Sequence, residues 1–290
     1  MIIVTGTKRS GTSMWMQILK AAGLTVLGDA FPRDWGDTLR EANSEGFYES
    51  PLRFGIYYAT NPNPRTGAFL PPRETREVAV KVFASGLVKS DLAYVHRVVA
   101  SMRPFREYAA SIQRLYELER ENRRARAVAS GHAVEFVPDY RPFSPVLEWW
   151  SDNYGLVRDA LIRRYPLHMI SYGSVLREPE QVVPETLSWL GVGEAEPALQ
   201  VVRYSMRTQH AESVAPLESG LPQALEAVFD EFYAHIDTRR PLEVAFIDRL
   251  NDTHDALLPR IEEEKKRARA EQAAAFQRAK SSGVTEVDEA

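Results

Sequence analysis

The 290-residue chain contains no cysteine, which excludes disulfides, thiolate metal sites and a cysteine nucleophile. It also lacks a run of about 18 apolar residues, the length that a membrane-spanning helix needs. Its first residues do not have the basic leader, apolar stretch and cleavage site of a secretory signal, so we expect a cytoplasmic protein without a membrane span. A net charge of −4 argues against a nucleic-acid-binding protein.

Hydrophobic residues make up 44% of the chain, enough for a sizeable core. Apolar, β-branched runs predict four buried strands at 1–5, 77–83, 94–102 and 167–172. Helical spacing predicts helices from residue 12 to about Gly23 and at 104–126, 147–165, 178–190 and 221–236. Strands that alternate with helices indicate a three-layer αβα fold with a mostly parallel central sheet, which binds ligands at the carboxyl ends of its strands.

The composition also predicts how the chain is divided. We expect one domain over residues 1–258, in which the Gly- and Pro-containing excursion at 127–145 is a lid or a binding loop. Residues 259–290 predict a charged tail, helical at first and disordered from about Ser281. The sequence does not decide between a monomer and a homodimer.

The loop after the first predicted strand has the spacing of a phosphate-binding loop, G-x-x-x-x-G-x-[ST]. It consists of Gly6, Thr7, Lys8, Arg9, Ser10, Gly11, Thr12 and Ser13. Glycines let the backbone N–H groups point inward, and the start of the following helix adds a partial positive charge. Thr12 stands where nucleotide triphosphatases have a lysine, and the cations Lys8 and Arg9 lie inside the loop instead.

The missing lysine distinguishes nucleotide triphosphatases from enzymes that bind a single terminal phosphate or a phosphosulfate. Without that lysine, and without an obvious acidic residue for magnesium after the strand at 77–83, metal-assisted triphosphate chemistry is disfavoured, and we expect no metal. The loop still suits a terminal phosphate or a phosphosulfate. A P-loop kinase or another nucleotide phosphotransferase remains an alternative, as does a non-catalytic binding protein on the same fold.

Residues 7–13 resemble the 5′-phosphosulfate loop of sulfotransferases, [PT]-x-[KR]-[SAG]-G-[TN]-[ST]. The resemblance implies the P-loop NTPase-like sulfotransferase fold, with 3′-phosphoadenosine 5′-phosphosulfate (PAPS) as donor and 3′-phosphoadenosine 5′-phosphate (PAP) as product. It implies that the donor's 5′-phosphate and sulfonate are bound by Thr7, Lys8, Arg9, Ser10, Gly11, Thr12 and Ser13.

Other blocks are similar to the same family. Arg103 at a strand end, with Ser111 eight residues later on a helix, matches the family's 3′-phosphate site. Tyr172 matches a tyrosine beside the adenine, although Gly173 replaces the acid that usually follows it. Residues 43–49 are similar to the N-x-x-G-[FY]-[FY]-E block of soluble bacterial sulfotransferase-like proteins. Arg207 is a further candidate for the 3′-phosphate.

The resemblance also implies catalytic roles. Arg9 and Lys81 are expected at the sulfonate and the leaving oxygen, since Lys81 is a cation inside an apolar strand. No histidine follows that strand at Phe83, so we expect Glu49 to be the general base, with Asp34 and Glu45 as rivals. The acceptor is expected to be a hydroxyl or amine of a small molecule or glycan. Its pocket is predicted among aromatic residues, namely Phe31, Trp35, Phe47, Tyr48, Phe54, Tyr57, Tyr58, Tyr140 and Phe143.

Overall fold

The computed structural model of the protein describes residues 1–31, 46–58, 67–129, 143–202 and 219–281. Within these ranges, five strands form one sheet. They are β1 (Ile2–Gly6), β2 (Thr25–Leu27), β3 (Val78–Lys81), β4 (Arg97–Met102) and β5 (Leu167–Ser171). Their order is β2-β3-β1-β4-β5, and every neighbouring pair is parallel.

The helices of the described residues alternate with these strands. They are α1 (Thr12–Ala21), α2 (Ala84–Leu87), α3 (Phe105–Ala129), α4 (Pro145–Arg163), α5 (Tyr172–Arg177), α6 (Pro179–Leu190), α7 (Ala195–Leu199), α8 (Gln223–Asp237) and α9 (Val244–Ser281). Short 3₁₀ turns lie at Pro51–Phe54, Pro72–Glu74 and Leu92–Tyr94. No helix among the described residues is long and apolar enough to cross a bilayer.

Both faces of the sheet are covered, as the apolar, β-branched composition of its strands requires. Side chains alternate along β1, so Ile2 and Val4 pack with α1, α6 and α7, whereas Ile3 packs with α2 and α4 on the other face. The expected three-layer arrangement with a parallel central sheet is therefore confirmed.

A third cluster of apolar side chains lies among helices rather than on the sheet. Trp149 and Trp150 of α4 stack on Phe229 of α8, with ring centroids 5.3 and 4.6 Å apart. Phe105 of α3 and Ile261 of α9 belong to the same cluster. The cluster lies beyond the carboxyl end of β4, which contributes Met102.

The structure contains elements that the sequence did not predict, namely the strand β2, the short helices α2, α5 and α7 and the first half of α9, and the strand expected at 94–102 begins at Arg97. The strand β2 was not expected, because it has only three residues and just one of them is buried. The charged tail expected from residue 259 is the second half of α9, which runs through Pro259 without a break. Ile261 and Ala268 of this segment are buried, so it has an apolar side that its sequence did not indicate.

The topology fixes where a ligand can lie. From β1 the chain runs to β2 and β3 on one side of β1, and then crosses to β4 and β5 on the other side. Because the connections go in opposite directions, a crevice opens at the carboxyl end of β1. Register pairs Val4 with Lys81 and Gly6 with Ser101 across these neighbours. The loop after β1, Lys81 and the residues after β4 and β5 therefore meet at one edge.

Candidate functional site

The loop between β1 and α1 is a tight turn that only glycine permits at its start. The amide N–H and the hydroxyl of Ser10 both donate to the carbonyl oxygen of Thr7, at 3.2 and 2.7 Å. A Cβ on Gly6 would lie 2.3 Å from the carbonyl oxygen of Ser101. Because that oxygen is backbone, the strand β4 would have to move to admit any side chain at residue 6.

The loop also holds two residues in the left-handed region. Arg9 has φ 66° and Gly11, the residue before α1, has φ 97°. An arginine with a left-handed backbone conformation is uncommon and is found at turns whose geometry the surroundings enforce. The hydroxyl of Ser101 donates to the carbonyl oxygen of Ser10 at 2.5 Å and fastens the turn to β4.

Two motifs that lie far apart in the sequence meet at Arg9. Its Nε donates to the hydroxyl of Ser111 on α3 at 3.3 Å, and its carbonyl oxygen accepts from Nη1 of Arg103 at 3.4 Å. The predicted phosphosulfate loop and the predicted 3′-phosphate pair are thus in direct contact.

The position of Arg103 is fixed by its surroundings. Its Nε donates to Glu107 Oε2 at 3.2 Å, and both side chains are only 4% exposed. Its carbonyl oxygen accepts from the indole Nε1 of Trp149 at 2.7 Å. Its guanidinium lies over the ring of Tyr172, 5.1 Å from the centroid. The side chain is therefore held before any ligand arrives.

The charge around Arg9 favours an anion. Burial lowers the pKa of the Arg9 guanidinium, and the positive charge of Arg103 lowers it further. Arginine nevertheless stays protonated in proteins. Two neighbouring, partly desolvated cations repel each other, and a bound anion would relieve that repulsion.

Lys81 and Glu49 form a buried ion pair on the other side of the loop. Lys81 Nζ lies 3.0 Å from Glu49 Oε1, and the side chains are 9% and 8% exposed. The same ammonium donates to the carbonyl oxygen of Phe47 at 3.1 Å and to the hydroxyl of Ser13 at 3.4 Å. Burial lowers the pKa of Lys81, and the charge of Glu49 acts in the opposite direction.

The second oxygen of Glu49 faces Arg53 Nε at 3.6 Å. Both carboxylate oxygens thus face cations, an arrangement that suits positioning Lys81 better than taking a proton. That Glu49 is the general base remains a prediction.

Tyr172 and Gly173 close the site at the end of β5. A Cβ on Gly11 would lie 2.5 Å from Tyr172 Cδ2, so the ring packs directly on the loop. A Cβ on Gly173 would lie 2.9 Å from the hydroxyl of Tyr233 and 3.3 Å from Oδ1 of Asp237. Asp237 accepts from the hydroxyl groups of Tyr233 and Ser171. Sequence reasoning missed this carboxylate because it comes from α8, 64 positions away.

The remaining predicted loop residues differ in exposure. Thr7, Ser10 and Thr12 are buried, Ser13 is half-buried, and Lys8 is exposed. Among the described residues the hydroxyl of Thr7 has no hydrogen-bond partner. Lys8 Nζ does not point at Arg9 but lies 5.8 Å from the ring centroid of Phe83 and 6.0 Å from that of Tyr116.

Some predicted residues lie outside the described ranges. They are Asp34, Trp35, Glu45, Tyr140 and Arg207, with most of the expected lid. Of the described aromatic candidates for the acceptor pocket, Phe54 packs edge-on against Phe83 at the site, with centroids 5.7 Å apart. Tyr58 packs instead on Phe69 and near Tyr94, which precedes β4 at the opposite edge of the sheet.

In the described part of the chain no group of three or more metal-ligating side chains could hold a metal ion. A scan against models of known protein families and a search of curated proteins gave no match for this chain.

Proposed function

We propose that the protein is a PAPS-dependent sulfotransferase. The observation that carries the proposal is the contact of Arg9 with Arg103 and Ser111, which belong to a second motif and lie 94 and 102 positions further along the chain. Such a contact gives two anion-binding groups one shared ligand site. A donor with one phosphate at each end of a ribose fits that arrangement.

The proposed binding mode follows from the positions of the side chains. The loop N–H groups and the start of α1, with Thr12 and Ser13, bind the 5′-phosphate. Arg103 and Ser111 bind the 3′-phosphate. Tyr172, whose ring lies between Arg103 and Gly11, stacks near the adenine.

The proposed reaction is an in-line displacement at sulfur. The acceptor oxygen or nitrogen forms a bond to sulfur while the bond from sulfur to the 5′-phosphate oxygen breaks, and the electron pair leaves with that phosphate, giving PAP. Arg9 and Lys81 stabilise the negative charge that grows on the leaving oxygen. Glu49 holds Lys81 in place, so the ammonium needs no reorganisation when the charge develops.

Calorimetric titration tests this proposal. We expect PAP to bind more tightly than ADP and more tightly than ATP with magnesium. In Ser111→Ala we expect a loss of about tenfold for PAP but little change for adenosine 5′-phosphate, because one hydrogen bond to a charged group is removed. Preference for ATP with magnesium would indicate a kinase, and no binding of any nucleotide would indicate a non-catalytic protein.

A further inference from the structure

Two carboxylates that the proposed function does not use lie one helical turn apart on α4. Glu148 and Asp152 are both half-buried, and their spacing of four residues places them on the same side of the helix. Lys8 of the loop and Lys265 of α9 are cations that act on Asp152. Two like charges so placed need a reason, because each disfavours the ionisation of the other.

Tyrosines of α3 face this pair. The hydroxyl of Tyr116 donates to Glu148 Oε2 at 3.4 Å. The hydroxyl of Tyr108 is fully buried and interacts with both carboxylates, with Glu148 as its hydrogen-bonding partner. Two tyrosine hydroxyls of α3 therefore interact with this pair of carboxylates, and the aromatic rings of the same tyrosines lie beside them.

The pair faces the same space as the phosphate-binding loop. Lys8, next to Arg9 in the loop, places its ammonium near the rings of Phe83 and Tyr116 and interacts with Asp152. Phe83 follows Lys81 by two residues at the end of β3. The space between Phe83 and α4 is therefore adjacent to the cations that are assigned to the sulfonate.

Several charged and titratable groups interact with Asp152. They are Glu148 on its own helix, Tyr108 on α3, Lys8 in the loop and Lys265 on α9, and Tyr116 of α3 contacts Glu148. Burial, followed by the negative charge of Glu148, raises the pKa of Asp152 to about 8. A carboxylate with such proton affinity is a stronger base than an ordinary aspartate.

We propose that Asp152 takes the proton of the attacking hydroxyl, that Glu148 and Tyr116 position it, and that the acceptor's ring lies against Phe83 and Tyr116. This inference rests on the proposed sulfotransferase function. The oxygen of the acceptor forms its bond to sulfur, its proton moves to the Asp152 carboxylate, and the 5′-phosphate oxygen leaves with the electron pair.

The surroundings define the class of acceptor. The aromatic rings of Phe83 and Tyr116 favour a flat or apolar ring, and a base of raised proton affinity suits a weakly acidic hydroxyl that is neutral in solution. Glu49 is the rival base, but both of its oxygens already face cations. Phenol and 4-nitrophenol are suitable probes because only phenol still carries its proton in mildly alkaline solution.

The test compares Asp152→Asn with Glu49→Gln, and uses Asp252→Asn, an exposed carboxylate on α9, as the matched control. Transfer of radiolabelled sulfur from PAPS to each probe is measured near pH 9, above the pKa of Asp152 of about 8. We expect Asp152→Asn to slow transfer to phenol about 100-fold, the size of a general-base contribution. Transfer to 4-nitrophenol, which needs no base, should change less than about threefold.

The controls separate this role from a structural one. PAP affinity, measured by calorimetry, should be unchanged in Asp152→Asn. Glu49→Gln should slow both probes alike, because it disturbs Lys81. The wild-type rate with phenol should rise with pH through about 8, the pKa of Asp152, and this rise should be absent in Asp152→Asn.

Each contrary result has its own meaning. Equal losses for both probes, or unchanged phenol transfer in Asp152→Asn with PAP still bound, would refute Asp152 as the base and leave the sulfotransferase proposal standing. Transfer to neither probe by a wild-type protein that binds PAP would refute the acceptor class. Failure of the wild type to bind PAP would overturn both proposals together.

Discussion

A single methyl group added at Gly11 tests whether Tyr172 and the loop form one packed unit. Gly11 has φ +97°, and an added Cβ would lie 2.5 Å from Tyr172 Cδ2. The chain offers a matched control, since Gly23 has φ +95° and a Cβ there would meet nothing within 4 Å. The two substitutions share the backbone strain and differ in the contact.

The magnitudes follow from these distances. Gly23→Ala should cost about 1–2 kcal/mol of unfolding free energy, the cost of an L-residue in the left-handed region. Gly11→Ala should cost about 1–3 kcal/mol more, because the ring must move away from a well-packed position. Arg103, whose guanidinium lies 5.1 Å from the ring centroid, restricts that movement.

Urea-induced unfolding of both variants measures the difference, and PAP titration measures its effect on the site. We expect Gly11→Ala to lower PAP affinity at least about tenfold, equivalent to about 1.4 kcal/mol, and Gly23→Ala to leave it unchanged. Adding Tyr172→Ala to Gly11→Ala should remove the extra destabilisation. Equal losses of stability in the two alanine variants would show that the ring does not pack on the loop.

Three further experiments test other parts of the structure. In a double-mutant cycle, Glu49→Leu should destabilise the protein more than Lys81→Met, because Lys81 loses its buried carboxylate partner whereas Glu49 retains Arg53. Loss of a buried partner costs about 3–5 kcal/mol. Additive losses in the free energy of urea-induced unfolding would show that the two residues are not coupled. Asp152 has a raised folded pKa, so the folded state holds its proton from about pH 4 to about 8. The free energy of unfolding should therefore fall as the pH rises through that window, by at most about 1.4 kcal/mol per pH unit. Thermal unfolding of Asp152→Asn should lack this pH dependence, and equal pH dependence in the variant and the wild type would contradict the raised pKa. Ile261→Ala should cost about 2–4 kcal/mol, because the side chain is 1% exposed; an unchanged urea midpoint would show that the second half of α9 does not pack on the core.

The sequence predicts those features that depend on neighbouring residues. The loop between Gly6 and Gly11 is recognisable because the glycines and hydroxyls that shape it are adjacent in the chain. Arg103 and Ser111 are recognisable because Arg103 follows the end of a strand and Ser111 lies within the first turns of the next helix. The parallel sheet follows from buried apolar runs that alternate with helices.

The remaining features depend on packing between distant segments. The strand β2 is too short to carry a periodic signal. Asp237 lies beside Gly173 only because α8 packs against β5. Nothing in the sequence around Gly173 indicates an acidic neighbour. Asp152 resembles an ordinary helix-surface acid until α3 and the loop close around it. Local patterns do not record such long-range contacts.

The central position of β1 in the sheet determines how anion binding is lost when the protein unfolds. All five residues of β1 are buried, and both of its edges are hydrogen-bonded, to β3 and to β4. Amides of such a strand exchange with solvent only when the whole protein opens, whereas edge strands and terminal helices open locally. The loop that follows β1 is attached to this slowest-exchanging segment. Fraying of the outer helices would then leave the loop in place, and its anion affinity would vanish together with the fold in one cooperative step.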